Sequence, residues 1–113
     1  MTDEIRKYLL DIQESINSIF DYLGSKRDFK EYCSNKQLRR AVEREFEIIG
    51  EAMNRIRKIE PQPSITNAKK IIELRNWVIH GYDRVDDVII WGIISKHLPL
   101  LKTEIDNLLE LPS

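Results

Sequence analysis

Six aliphatic residues near the start of the chain, Ile5, Leu9, Ile12, Ile16, Ile19 and Leu23, recur at alternating spacings of four and three. That rhythm puts all six on one side of a 3.6-residue helix, and Phe20 widens the seam into a core-facing stripe. Strands would demand alternation instead. An apolar stripe of this length is stable in water only when other elements cover it, so the feature commits the chain to a helical packing solution. Thr2 or Asp3 is placed to cap this helix, and Gly24 to end it.

The rest of the sequence supplies the covering helices. Residues 25–32 suit a short helical turn. Ser34 with Gln37 three residues on has the capping-box pattern for a second long helix. This helix carries Leu38, Val42, Ile49, Ala52, Met53 and Ile56 on one side, with Arg39, Arg40, Glu43, Arg44 and Glu47 on the others. Arg40–Glu43 and Arg44–Glu47 are spaced for ion pairs. Gly50 costs about 1 kcal/mol relative to alanine inside a helix, which close approach of a neighbouring helix would justify. Pro61 and Pro63 close the segment. Asn67 can cap a third helix from Ala68 to about His80, with Ile71, Leu74 and Val78 inward. A last helix is expected from about Val85 to Leu109 with Val88, Ile89, Trp91, Ile93, Leu98, Leu101, Ile105 and Leu108 as its apolar set. Pro99 should kink it near Ser95 rather than end it. The fold class is all-α: an antiparallel bundle of four to five helices in one domain spanning residues 1–113.

Composition narrows the function classes. A single cysteine, Cys33, excludes an internal disulfide, and no Cys/His grouping has zinc-site spacing. No signal peptide or membrane-length apolar run appears, so a cytoplasmic, reducing compartment is expected. Net charge is −1, yet it is unevenly spread. Residues 25–84 hold 14 Lys/Arg against 9 Asp/Glu, a net of +5, while the two ends hold 4 against 10, a net of −6. Segregated solvated helix faces account for this as well as a basic surface for a phosphate-bearing partner does. Arg39, Arg40 and Arg44 belong to that basic middle.

Chemistry concentrates in Arg75-Asn76-Trp77-Val78-Ile79-His80-Gly81-Tyr82, where a guanidinium, an amide, an imidazole and a phenol interrupt an apolar segment. Each has an ordinary structural role. Arg75 can bridge Glu47 or Glu51, His80 can interact with a helix dipole, and Tyr82 can sit at a rim. Five helical residues turn through about 140°, so Arg75 and His80 do not share a face of one regular helix. A break at Gly81, or a second subunit, would bring the two groups together. Imidazole moves protons near neutrality, and guanidinium binds a phosphodiester and its five-coordinate transition state. Together they suit RNA cleavage without a metal, because the 2′-hydroxyl is an internal nucleophile. His97, just before Pro99, is expected at the surface. Trp77 and Trp91 are assigned to core or dimer contact.

Arg75-Asn76-x3-His80-x-Tyr82 resembles the R-N-x3-H-x-Y motif of HepT-like ribonuclease toxins, within the HEPN superfamily. Ala41-Val42-Glu43-Arg44 and Ile48-Ile49-Gly50-Glu51-Ala52 resemble the family's second-helix signature. Gly81 to Asp86, Trp91 and Leu98-Pro99-x-Leu101 agree as well, so the resemblance covers essentially the whole chain. It implies a homodimer whose Arg75 and His80 side chains line a shared cleft, acting as a metal-independent endoribonuclease with no cofactor. It further implies Asn76 as a supporting phosphate contact. The implied partner is a minimal nucleotidyltransferase antitoxin that silences the enzyme by AMPylating Tyr82. Glu51 matches the signature as either a pairing or a structural residue. The competing expectation is a non-enzymatic helical subunit that presents Tyr82 or the cleft to such a nucleotidyltransferase.

Overall fold

The structure is a computed structural model that describes residues 2–61, 65, 71–72 and 87–111. Among the described residues there are five named helices and no strands: α1 (Asp3–Leu23), α2 (Phe29–Ser34), α3 (Lys36–Ile59), α4 (Asp87–Lys96) and α5 (Leu98–Glu110). Ile71 and Ile72, from the expected third helix, are helical and lie against the core. The remainder of that helix lies outside the described residues.

Helix α1 forms as its seam requires. The Thr2 hydroxyl accepts a hydrogen bond from the Ile5 N–H at 3.1 Å, and Asp3 and Glu4 place negative charge at the dipole's positive end. Gly24 terminates the helix with φ +68°, a left-handed conformation that a side chain would oppose, and its N–H bonds to the Phe20 carbonyl. Ile5, Leu9, Ile12, Ile16 and Ile19 are buried, each contributing about 1.5–3 kcal/mol through removal from water. Phe20 and Leu23 pack at the core's edge. In the following loop the Arg27 guanidinium lies 4.5 Å from the centre of the Phe20 ring.

The short helix begins later than the sequence pattern suggests, because Asp28 caps it. Its Oδ1 accepts from the N–H groups of Lys30 and Glu31. The cap of α3 also shifts by one residue. Asn35 Oδ1 accepts from the Leu38 N–H at 3.0 Å, while the Ser34 hydroxyl donates to the Glu31 carbonyl within α2. On α3 the buried positions are Val42, Phe46, Ile49, Ala52, Met53 and Ile56, joined by Glu43 and Gly50. By pattern Glu43 belongs to the polar side. Its stem is buried while its carboxylate accepts from Arg40 Nη1 at 3.1 Å.

The last apolar stretch is two helices rather than one. His97 is a turn residue between α4 and α5, and Pro99 falls in the first turn of α5, where its missing N–H is harmless. Helical hydrogen bonds still span the junction, from His97 N–H to Ile93 O and from Leu101 N–H to His97 O. The buried residues of α4 are Ile90 and Ile94, whereas Val88 and Ile89 are 67% and 47% exposed. Trp91 packs against α2, with ring centroids 5.4 Å from Tyr32 and 5.5 Å from Phe29.

Helix α1 makes its largest interface with α3 and a second with α5. Tyr22 pairs with Glu45 near one end and Tyr8 lies beside Arg55 toward the other, so α1 and α3 run antiparallel. Arg6 meets the Leu109 carbonyl and Gln13 meets Asp106, so α1 and α5 are antiparallel too. No helix of the described residues is long and apolar enough to cross a membrane.

Candidate functional site

Of the residues singled out by sequence, Arg75, Asn76, His80 and Tyr82 lie outside the described residues, as does Trp77. Glu51 lies within them. It sits on α3, half-buried, and its Oε1 accepts from Arg55 Nε at 3.1 Å, one helical turn away. Glu47 is engaged by Arg44 at 3.4 Å on the same helix. Cys33 is a half-buried thiol whose backbone carbonyl accepts from Arg39, and His97 is exposed, as anticipated.

Glu51 helps to line a groove of about 450 Å3 between α1 and α3. Lys7, Tyr8 and Asp11 form the α1 wall. Arg44, Glu47, Ile48, Glu51, Ala52 and Arg55 form the α3 side. Positions 44, 47, 48, 51, 52 and 55 are spaced by three and four, so helical geometry alone puts them in one row. The Tyr8 phenol is the main reason that Arg55 holds its proton more firmly than usual, with the Glu51 carboxylate second. Lys7 bridges Asp11 at 3.1 Å and also lies 5.1 Å from the centre of the Tyr8 ring. Sequence reasoning did not identify Tyr8 and Arg55. The available signal was the i, i+4 relation between Glu51 and Arg55.

A second polar cluster gathers at the start of α4. Asp87, the first residue of α4, approaches Arg39 Nε at 4.0 Å. Next to it the Tyr32 hydroxyl is fully buried and has no hydrogen-bond partner among the described residues. Burial first, then the negative charges of Asp87 and Glu43, push the Tyr32 phenol well above its ordinary value, so it stays neutral. Among the described residues no group of three or more His, Cys, Asp and Glu side chains is arranged to hold a metal.

Comparison with known proteins agrees with the family resemblance. The model of the ribonuclease HepT-like family matches residues 12–108. A Methanocaldococcus jannaschii protein named as a candidate RNase is 34% identical over 105 residues, covering 91% of this chain and 94% of its own. A second candidate RNase from the same organism is 30% identical over 109 residues, covering 95% and 88%. A Thermococcus cleftensis protein named as a ribonuclease HepT candidate is 29% identical over 107 residues, covering 91% and 94%. No solved structure matches significantly. With a family model spanning most of its length, and with relatives aligned nearly end to end, the chain belongs to the ribonuclease HepT-like family.

Proposed function

We propose that the protein is a metal-independent endoribonuclease, one domain per chain, working as a homodimer and serving as the toxin of a toxin–antitoxin pair. The observation that carries this reading is the family match across residues 12–108, which contains the full Arg75-Asn76-x3-His80-x-Tyr82 motif. In the proposed reaction an imidazole of His80 removes the proton from a ribose 2′-hydroxyl. The oxygen attacks the adjacent phosphorus, the bond to the 5′-oxygen breaks, and that oxygen leaves with a proton given by a protonated His80 imidazole, leaving a 2′,3′-cyclic phosphate. The guanidinium of Arg75 neutralises the charge that builds on the phosphoryl oxygens, and Asn76 supports the phosphate. Two protomers supply these groups to one cleft.

Silencing follows from the same chemistry. AMP transferred from ATP to the Tyr82 hydroxyl by a nucleotidyltransferase antitoxin, with pyrophosphate leaving, would bring a phosphate's negative charge and a nucleoside's bulk into a cleft meant for RNA phosphate. The test is RNA cleavage by the purified protein in EDTA. His80→Ala should lower the rate by about 10²–10⁴-fold, the usual contribution of a general acid–base group, with an unchanged helical circular dichroism spectrum. Undiminished cleavage by that variant would remove His80 from the reaction.

A further inference from the structure

The groove between α1 and α3 has a charge order that suits one ligand class. Along α3 the row runs Arg44, Glu47, Glu51, Arg55, with Ile48 and Ala52 as an apolar floor between them. Arg44 and Arg55 are eleven residues apart, which is about 16 Å along the helix and within roughly 20° of the same direction. Along the α3 row cations therefore stand at both ends and carboxylates in the middle, and from α1 they face the Lys7–Asp11 pair and the half-buried Tyr8.

An anionic ligand alone would be repelled by the central carboxylates, and a cationic one by the arginines. A short stretch of single strand satisfies both, since phosphates two to three nucleotides apart can reach the two arginines while a base between them offers hydrogen-bond donors. Carboxylates are acceptors only. Guanine alone among the RNA bases presents an imino and an amino donor side by side on its Watson–Crick edge. The Arg44–Glu47 and Arg55–Glu51 pairs do not obstruct this. Arg44 and Arg55 side chains are 70% and 54% exposed, and exposed pairs at i, i+3 and i, i+4 are weak enough to exchange partners. The Arg44–Glu47 contact is the longer of the two, at 3.4 Å against 3.1 Å.

We propose that this groove is a guanine-reading subsite for single-stranded RNA, in which Glu47 accepts from the base edge and Arg44 and Arg55 hold the flanking phosphates. Tyr8 forms the aromatic wall against which the base lies. This rests on the reading of the protein as a ribonuclease and assigns that enzyme's sequence preference to residues outside the motif.

The experiment uses the full-length protein and two fluorescein-labelled, 2′-O-methyl pentanucleotides, UUGUU and UUAUU, which resist cleavage and so separate binding from catalysis. Anisotropy titration should give roughly tenfold tighter binding of the guanine oligomer, within the range of a good bidentate base contact. Glu47→Gln should equalise the two oligomers. Arg44→Gln and Arg55→Gln should weaken both alike and flatten the salt dependence. Circular dichroism of each variant verifies the fold. Equal affinities in the parent protein, a guanine preference that survives Glu47→Gln, or saturable binding of a mixed-charge peptide with none of either oligomer would each overturn the proposal. Cleavage of unmodified RNA by a protein with no guanine preference would overturn the subsite and leave the nuclease reading standing. Guanine-selective binding without cleavage would do the reverse.

Discussion

Tyr32→Phe should make this protein more stable. The phenol is fully buried with no hydrogen-bond partner among the described residues, so no group among them offsets its desolvation. An unsatisfied buried polar group costs about 1–3 kcal/mol. Removing the oxygen leaves a void of roughly 15 Å3, which at about 24 cal/mol per Å3 returns only about 0.4 kcal/mol of destabilisation. The ring itself keeps its packing on Trp91. The net expectation is a gain of about 1 kcal/mol, or a midpoint rise of roughly 4 °C for a domain of this size. Alkaline pH provides a second, independent reading. The unfolded chain releases this proton near pH 10, while the folded protein retains it to higher pH. A group with a raised folded value contributes stability that is complete below its unfolded value and declines as pH climbs past it. The parent protein should therefore lose ground to the phenylalanine variant by about 1.4 kcal/mol per pH unit once above pH 10. Urea denaturation followed by circular dichroism at pH 7, 10 and 11 measures both effects. A variant less stable than the parent at pH 7, or a difference between the two that stays flat to pH 11, would refute the reasoning.

Asn35→Ala should destabilise by about 1 kcal/mol through loss of the α3 cap, whereas Ser34→Ala should be close to neutral in the same denaturation assay. The Asp106 carboxylate is held below its ordinary range, first by the Gln13 amide and then by Lys102. A depressed folded value gives stability that is present above the unfolded value near 3.9 and fades as pH falls through the folded one. The advantage of the parent over Asp106→Asn should accordingly be seen at pH 5–7 and vanish on acidification toward pH 2 in thermal melts.

The parts of the fold that were legible in sequence share one property: a helix with a single apolar side has only one way to face. The 4-3-4-3 seam of α1 identified its buried aliphatic residues, with Leu23 at the edge and Ser15 unforeseen, and the Arg40–Glu43 and Arg44–Glu47 pairs formed at the expected spacing. Helix α4 is apolar on several sides, so pattern gave no preferred phase. Val88 and Ile89, expected inside, are exposed, and the core role falls to Ile90 and Ile94. Caps failed by one residue where two capping side chains were adjacent, because Ser34 was already committed to the end of α2. Proline's effect on the last helix depended on register: within the first turn of α5 it starts a helix more readily than it bends one. For the candidate site, Arg75, Asn76, His80 and Tyr82 stand out in sequence as a chemical grouping, and they lie outside the described residues. The α1–α3 groove was not legible, since Tyr8 and Arg55 are distant in sequence and only the antiparallel packing brings them together.

The seam between α1 and α5 governs how the molecule can be handled. Arg6 Nη1 donates to the Leu109 carbonyl at 3.1 Å, and Gln13 Nε2 to Asp106 Oδ1 at 2.9 Å, so Thr2 and Leu111 emerge at the same pole. Labels carried on Thr2 and Leu111 would therefore sit side by side, and the Ser25–Lys26 loop, exposed at the far end of α1, is a separate place to attach a third.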